Sequence, residues 1–143
     1  MPRRSVLFSP GDQGDLLRKA PKSGADVIVF DLEDAVAPPS KAKARETVAA
    51  ALAEVDCDAE ICVRINPLEE GGSEDLAALA EGSPPDSLML PKVSSTGAVA
   101  DLSDALADRE LTLPILALIE TAEGVLEAPA IAEHPEVDAL LFG

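Results

Sequence analysis

Along this chain, short unbroken apolar runs alternate with longer stretches whose apolar residues recur every three or four positions. The runs fall in residues 5–11, 26–34, 60–67, 87–93, 114–120 and 137–143, and each reads as a strand. The stretches between them read as helices over 12–20, 40–55, 73–82, 94–111 and 121–133. Ser40 stands where an N-cap belongs, and Gly82 lies just past the end of the third helix. Val99, Leu102 and Leu106 share one face of the fourth helix, and Pro129 predicts an interruption of the fifth.

The strand runs do not alternate apolar with polar, so these strands are expected to be buried on both faces. That is the mark of a parallel sheet covered by helices. The repeated βα order agrees. Two architectures fit: a doubly wound open sheet and a (βα)8 barrel. The length of 143 residues favours the open sheet, because a full barrel needs about 250.

The strand ends favour the barrel. They read "SPG", "DLED", "RIN", "PK" and "IE", so five successive strands carry polar or turn residues at the same end. An open sheet gathers its site at one switch point, whereas a barrel collects side chains from many strand ends around one axis. The prediction is an α/β, (βα)8 TIM barrel, here the first five βα units plus strand 6. Residues 1–143 would then be the N-terminal part of a single barrel domain, with two strands still to come.

Composition narrows the function. Almost half the residues are apolar, but only three are aromatic, all Phe, so the core is built from Ala, Val, Leu and Ile. A stacking platform for single-stranded nucleic acid is not expected. The formal charge is −16, from 27 acidic and 11 basic residues. Such a surface repels phosphate backbones and anionic lipid, which argues against nucleic acid and membrane as partners. The acids are spread along the whole chain, as solubility or a high-salt cytoplasm would favour. The apolar run of the N-terminus stops at Phe8, too short for a signal peptide, so a cytoplasmic location is expected. Cys57 and Cys62 match no zinc spacing, and Cys62 reads as a small core residue.

Several polar residues are candidates for chemistry. Glu120 ends an apolar strand, either as a metal ligand or acid–base group at a barrel mouth, or as an acid at the start of the next helix. Arg64 lies in an apolar strand and needs a partner, such as Asp31 or Asp34. Its guanidinium can also grip a carboxylate or carbonyl oxygen. Asp31, Glu33 and Asp34 form either a divalent-cation site or a set of turn caps and ion pairs with Arg64, Lys41 or Arg45. Lys92 reads as an imine nucleophile or an anion-binding cation, and nothing around it would depress its pKa. His134 is the only histidine and reads as a loop residue, which sets aside a Ser-His-Asp triad or a multi-His zinc site.

Taken together, "RSVLFSPG", "ADVIVFDLEDAVAPPSKAKAR", "VRINP", "LPKV" and "ALIETAEG" resemble, in order and spacing, the HpcH/HpaI aldolase and citrate lyase family. The nearest branch looks like the citrate lyase beta subunits and malyl-CoA lyases. The resemblance implies a Mg2+-dependent carbon–carbon lyase of TIM-barrel fold, acting on a carboxylated 3-hydroxyacyl-CoA such as malyl-CoA, methylmalyl-CoA or citryl-CoA. The products would be an acyl-CoA and an oxoacid. It implies that Arg64 binds the oxoacid and stabilises charge on oxygen, that Glu120 ligates Mg2+, and that Glu33 and Asp34 support the site. It also implies a homo-oligomer. Relatives that hydrolyse the malyl-CoA thioester give one alternative, and a non-catalytic accessory protein gives another. Two departures stand out. Asp12-Gln13 follows Gly11 where the family reads Asn and then a basic residue. The family's second Mg2+ ligand, an Asp beyond strand 6, falls past Gly143. Partial or absent activity of the 143 residues alone is therefore expected.

Overall fold

A computed structural model describes residues 2–143. Six strands form one sheet: β1 (Val6–Pro10), β2 (Val27–Asp31), β3 (Glu60–Arg64), β4 (Ser87–Leu90), β5 (Ile115–Ile119) and β6 (Val137–Phe142). Five helices connect them: α1 (Gly14–Lys19), α2 (Lys41–Glu54), α3 (Gly72–Ala80), α4 (Thr96–Ala107) and α5 (Ala122–Ala132). Every strand pair is parallel, and the order in the sheet is the order in the chain. A doubly wound sheet reverses direction at its switch point; this sheet never does. The chain therefore forms the sequential strand arc of a TIM-barrel-like fold.

The two faces of the sheet hold different cores. Val27, Val29, Cys62, Met89, Leu116 and Leu118 pack together on the concave, inner face. The alternate residues, among them Ile28, Phe30, Val63, Leu88 and Ile115, join Val48, Leu76, Val99, Leu102 and Ile131 of the helices in a larger cluster. Burial on both faces is why β2, β4 and β5 read as unbroken apolar runs. The edge strands differ. In β1 and β6 many residues stay half-buried or exposed, with Leu7, Phe8 and Phe142 among the exposed apolar side chains.

Two local expectations change. Ser40 occupies the N-cap position of α2, but its backbone is already helical and its hydroxyl makes no cap bond. A preceding 3-10 turn over Pro38–Ser40 leads the chain in instead. Pro129 does not interrupt α5. A proline deletes one backbone bond of the helix, and the buried Ala128 and Ile131 on either side of it hold the helix to the sheet.

Candidate functional site

The two-residue period of a strand decides which side chains meet. On β2, β3 and β5 it puts Asp31, Arg64 and Glu120 on the same inner face as Val29, Cys62 and Leu118, one step beyond them towards the C-terminal ends. Register makes Asp31 and Arg64 direct neighbours.

Arg64 is almost fully buried, and so is Asp31. Nε of Arg64 donates to Asp31 Oδ1 at 2.7 Å and Nη2 donates to Oδ2 at 2.6 Å, a bidentate pair. The Asp31 carboxylate also accepts the backbone N–H groups of Glu33 (2.9 Å) and Ala35 (2.9 Å), which fold the "DLEDA" turn around it. Burial pushes the Asp31 carboxyl upward, but the Arg64 fork and those two N–H donors outweigh it and hold the group below the usual carboxylate range. Burial likewise opposes the charge on Arg64, and Asp31 more than restores it. The Phe8 ring lies under the guanidinium, 4.9 Å from its carbon.

With Nε and Nη2 committed, Nη1 is the edge of Arg64 that faces the mouth. It lies 3.4 Å from Glu33 Oε2. Glu33 Oε1 in turn lies 3.0 Å from the ammonium of Lys92, in the loop after β4. The Glu33 side chain is 5% exposed and that of Lys92 is 49% exposed, so this chain of charges opens towards Lys92. The hydrogen bond from Lys92 to Glu33 raises the lysine pKa, the wrong direction for an imine nucleophile.

Lys92 is also joined to Glu120. Its backbone takes a left-handed φ of 52°, unusual for a residue with a side chain, and its N–H donates to Glu120 Oε1 at 2.9 Å. Glu120 is thus fixed by the neighbouring β4 loop, while the start of α5 is capped by Thr121, which accepts the N–H of Gly124 at 3.0 Å. Gly124 lets α5 approach closely: a Cβ there would sit 2.3 Å from the Val93 carbonyl oxygen.

Of the predicted residues, Arg64, Glu33 and Glu120 come together through Lys92. Asp34 does not join them by any ion pair among the described residues; it is exposed, and its N–H donates to Glu33 Oε2. Lys41 and Arg45 serve elsewhere. Lys41 reaches the carbonyls of Leu32 and Glu33, and Arg45 pairs with the buried Asp75. His134 lies in a surface loop, and its Nδ1 accepts the N–H of Glu136. Two contributors were not singled out from sequence as parts of the site: the Phe8 platform and the Lys92 backbone. Phe8 was findable, because it shares the inner-face parity of β1 with Val6; the left-handed Lys92 had no sequence signal.

No group of three or more acidic, His or Cys side chains among the described residues is arranged to hold a metal ion. Mg2+ does not require one. It keeps several waters and is commonly held by one or two carboxylates with substrate oxygens. Glu120 supplies one such hard oxygen donor at the mouth, and the donor chemistry fits that ion.

A sequentially wound parallel sheet with an arginine, a bridging acid and a further carboxylate at its strand ends defines a protein of TIM-barrel-like fold with charged residues gathered at its mouth. Residues 4–143 match the model of the HpcH/HpaI aldolase/citrate lyase family, and the chain belongs to that family. It is 42% identical over 144 residues to a (3S)-malyl-CoA thioesterase of Cereibacter sphaeroides, spanning 99% of this chain and 49% of that protein. Identity to the human mitochondrial citramalyl-CoA lyase is 36% over 161 residues, spanning 100% of this chain and 47% of the relative. The citrate lyase beta subunit of Mycobacterium tuberculosis, solved with oxaloacetate and magnesium, superposes with a TM-score of 0.81 at 32% identity. That match covers 99% of this chain and 59% of the other. The chain spans about half the length of the curated relatives it matches.

Proposed function

We propose that residues 1–143 are the N-terminal part of a single barrel domain that cleaves a carbon–carbon bond in a carboxylated 3-hydroxyacyl-CoA. The substrate class includes malyl-CoA, methylmalyl-CoA and citryl-CoA, and the products are an acyl-CoA and an oxoacid. The observation that carries this reading is the Arg64–Asp31 pair, which leaves one guanidinium edge aimed at the same mouth as Glu120. Retro-aldol cleavage turns an alkoxide into a carbonyl and leaves a thioester enolate. Arg64 presents a fixed positive charge to the alkoxide oxygen that becomes the oxoacid carbonyl, and Asp31 keeps it oriented without reorganisation. Glu120, held by the Lys92 N–H, is the residue of this chain that would hold Mg2+. When bound, that ion supplies Lewis-acid polarisation of the oxoacid oxygens. Glu33 and Asp34 support the site, Glu33 by setting the charge balance at Arg64. The complex of the mycobacterial relative with oxaloacetate and magnesium supports both ligands.

The name of the Cereibacter relative favours a second reading within the same family, hydrolysis of the malyl-CoA thioester. Product analysis separates the two. With Mg2+ and malyl-CoA, the lyase gives glyoxylate and acetyl-CoA, whereas the thioesterase gives free malate and CoA. The expected result is glyoxylate from a form extended to the length of the relatives, with weaker or no turnover by the 143 residues. Malate as the sole product would replace the first reading with the second.

A homo-oligomer is what the family resemblance implies; the open edges of β1 and β6 are where the remaining strands of the proposed barrel would pair. No helix among the described residues is long and apolar enough to cross a membrane. A cytoplasmic, high-salt setting is the reading of the charge of −16.

A further inference from the structure

One carboxylate, that of Glu33, lies between two cations carried by different strand ends. Its Oε2 is 3.4 Å from Arg64 Nη1, and its Oε1 is 3.0 Å from Lys92 Nζ. A ligand carboxylate would take up the same bridging arrangement. We propose that Arg64 and Lys92 form a two-cation seat for the carboxylate of the ligand, with Glu33 as the resident anion that the ligand displaces. This rests on the oxoacid reading of the site, and it adds Lys92 as a ligand-binding residue and Glu33 as its competitor.

Three features of the geometry support the exchange. Arg64 cannot follow Glu33, because Nε and Nη2 are locked to Asp31, so the seat keeps its shape when Glu33 leaves. Against the exchange stands the Asp34 N–H, which Glu33 Oε2 accepts at 3.0 Å and which the ligand must break. The Lys92 ammonium is half exposed, which puts the entrance on its side. Glu33 and Arg64 lie behind it, both buried. The left-handed Lys92 backbone, tied to Glu120, fixes where the ammonium stem starts. Glu33 then raises the threshold for binding: a weakly held anion does not displace it, and one with further contacts does.

The test is a nuclear magnetic resonance titration of the chain with oxalate, without Mg2+, following the Lys92 amide and the Arg64 Nε–H. Saturable shifts are expected in the wild type. Lys92→Met should weaken oxalate binding about tenfold, the loss of one charge-assisted contact. Glu33→Gln should tighten it several-fold, and the double variant should bind more weakly than Glu33→Gln alone. Unchanged affinity in Lys92→Met, weaker affinity in Glu33→Gln, or no saturable shift in either the wild type or Glu33→Gln overturns the proposal. Lys92 is exposed, so its variant folds even if Glu33→Gln does not. Malyl-CoA turnover by the extended form is scored separately. Oxalate binding with the expected variant pattern but no turnover leaves the seat standing and removes the acyl-CoA reading. Turnover with wild-type oxalate affinity in Lys92→Met removes the seat alone.

Discussion

At the scale of single residues, the site depends on a buried ion pair whose cost is met by geometry. Asp31 accepts four hydrogen bonds, two from Arg64 and two from backbone N–H groups. Removing one partner of such a pair leaves a buried charge unmatched, so Asp31→Asn should destabilise the fold by about 3 kcal/mol, read from urea unfolding. The folded-state pKa of Asp31 lies below its unfolded value of about 4. Its contribution to stability is therefore complete above about pH 4 and is lost as pH falls through the folded pKa. The wild type should lose stability in that acid range, and Asp31→Asn should lose less. Cys62 gives a second check. Burial pushes its thiol pKa up to about 12, so it stays protonated and shielded. Cys57 is only partly buried. A disulfide reagent should label Cys57 in the native chain and reach Cys62 only on unfolding.

At the scale of elements, caps and close contacts decide which helices are held in place. Thr121 accepts the Gly124 N–H, and Ser95 accepts the Ala98 N–H at 3.3 Å, whereas Ser40 caps nothing. Thr121→Ala should therefore cost about 1 kcal/mol in thermal or urea unfolding, and Ser40→Ala should fall within about 0.5 kcal/mol of wild type. Gly124→Ala should be worse than either. Its new methyl would meet the Val93 carbonyl at 2.3 Å and push α5 away from the loop that carries Lys92. Weakened oxalate binding would accompany the loss of stability.

At the scale of the whole molecule, β1 and β6 each keep one edge free, where the remaining strands of the proposed barrel would pair. Arg3 spans much of that opening at the N-terminal end of the sheet, since it pairs with Glu60 of β3 at 2.6 Å and with Asp138 of β6 at 2.5 Å. The edges still expose Leu7, Phe8 and Phe142, the last at 66%. Sedimentation of a form extended to the length of the relatives should show an oligomer, and a monomer at all concentrations would count against it. The charge of −16 opposes compaction, so added salt should raise the unfolding midpoint by screening it.

Much of this was legible in the chain. Unbroken apolar runs are the chemical consequence of strands buried on both faces, so β2 to β5 and their helices followed directly from the sequence. Polar residues at five strand ends distinguished a barrel from an open sheet, because a barrel alone has a use for all of them. Glu120, Arg64 and the "DLED" acids stood out because charges are costly at the ends of apolar runs. Tertiary structure decided how they are used. Arg64 chose Asp31 over Asp34 because strand register sets Asp31 beside it, whereas Asp34 lies past the turn and is exposed. Glu120 turned to the Lys92 N–H and not to its own helix, because a left-handed residue in the neighbouring loop aims that donor at it. Glu33 lies between Arg64 and Lys92 because the turn after β2 meets the loop after β4 there. Local sequence fixes where a strand ends and what charge it carries; which charges meet depends on register and loop conformation across strands that lie tens of residues apart.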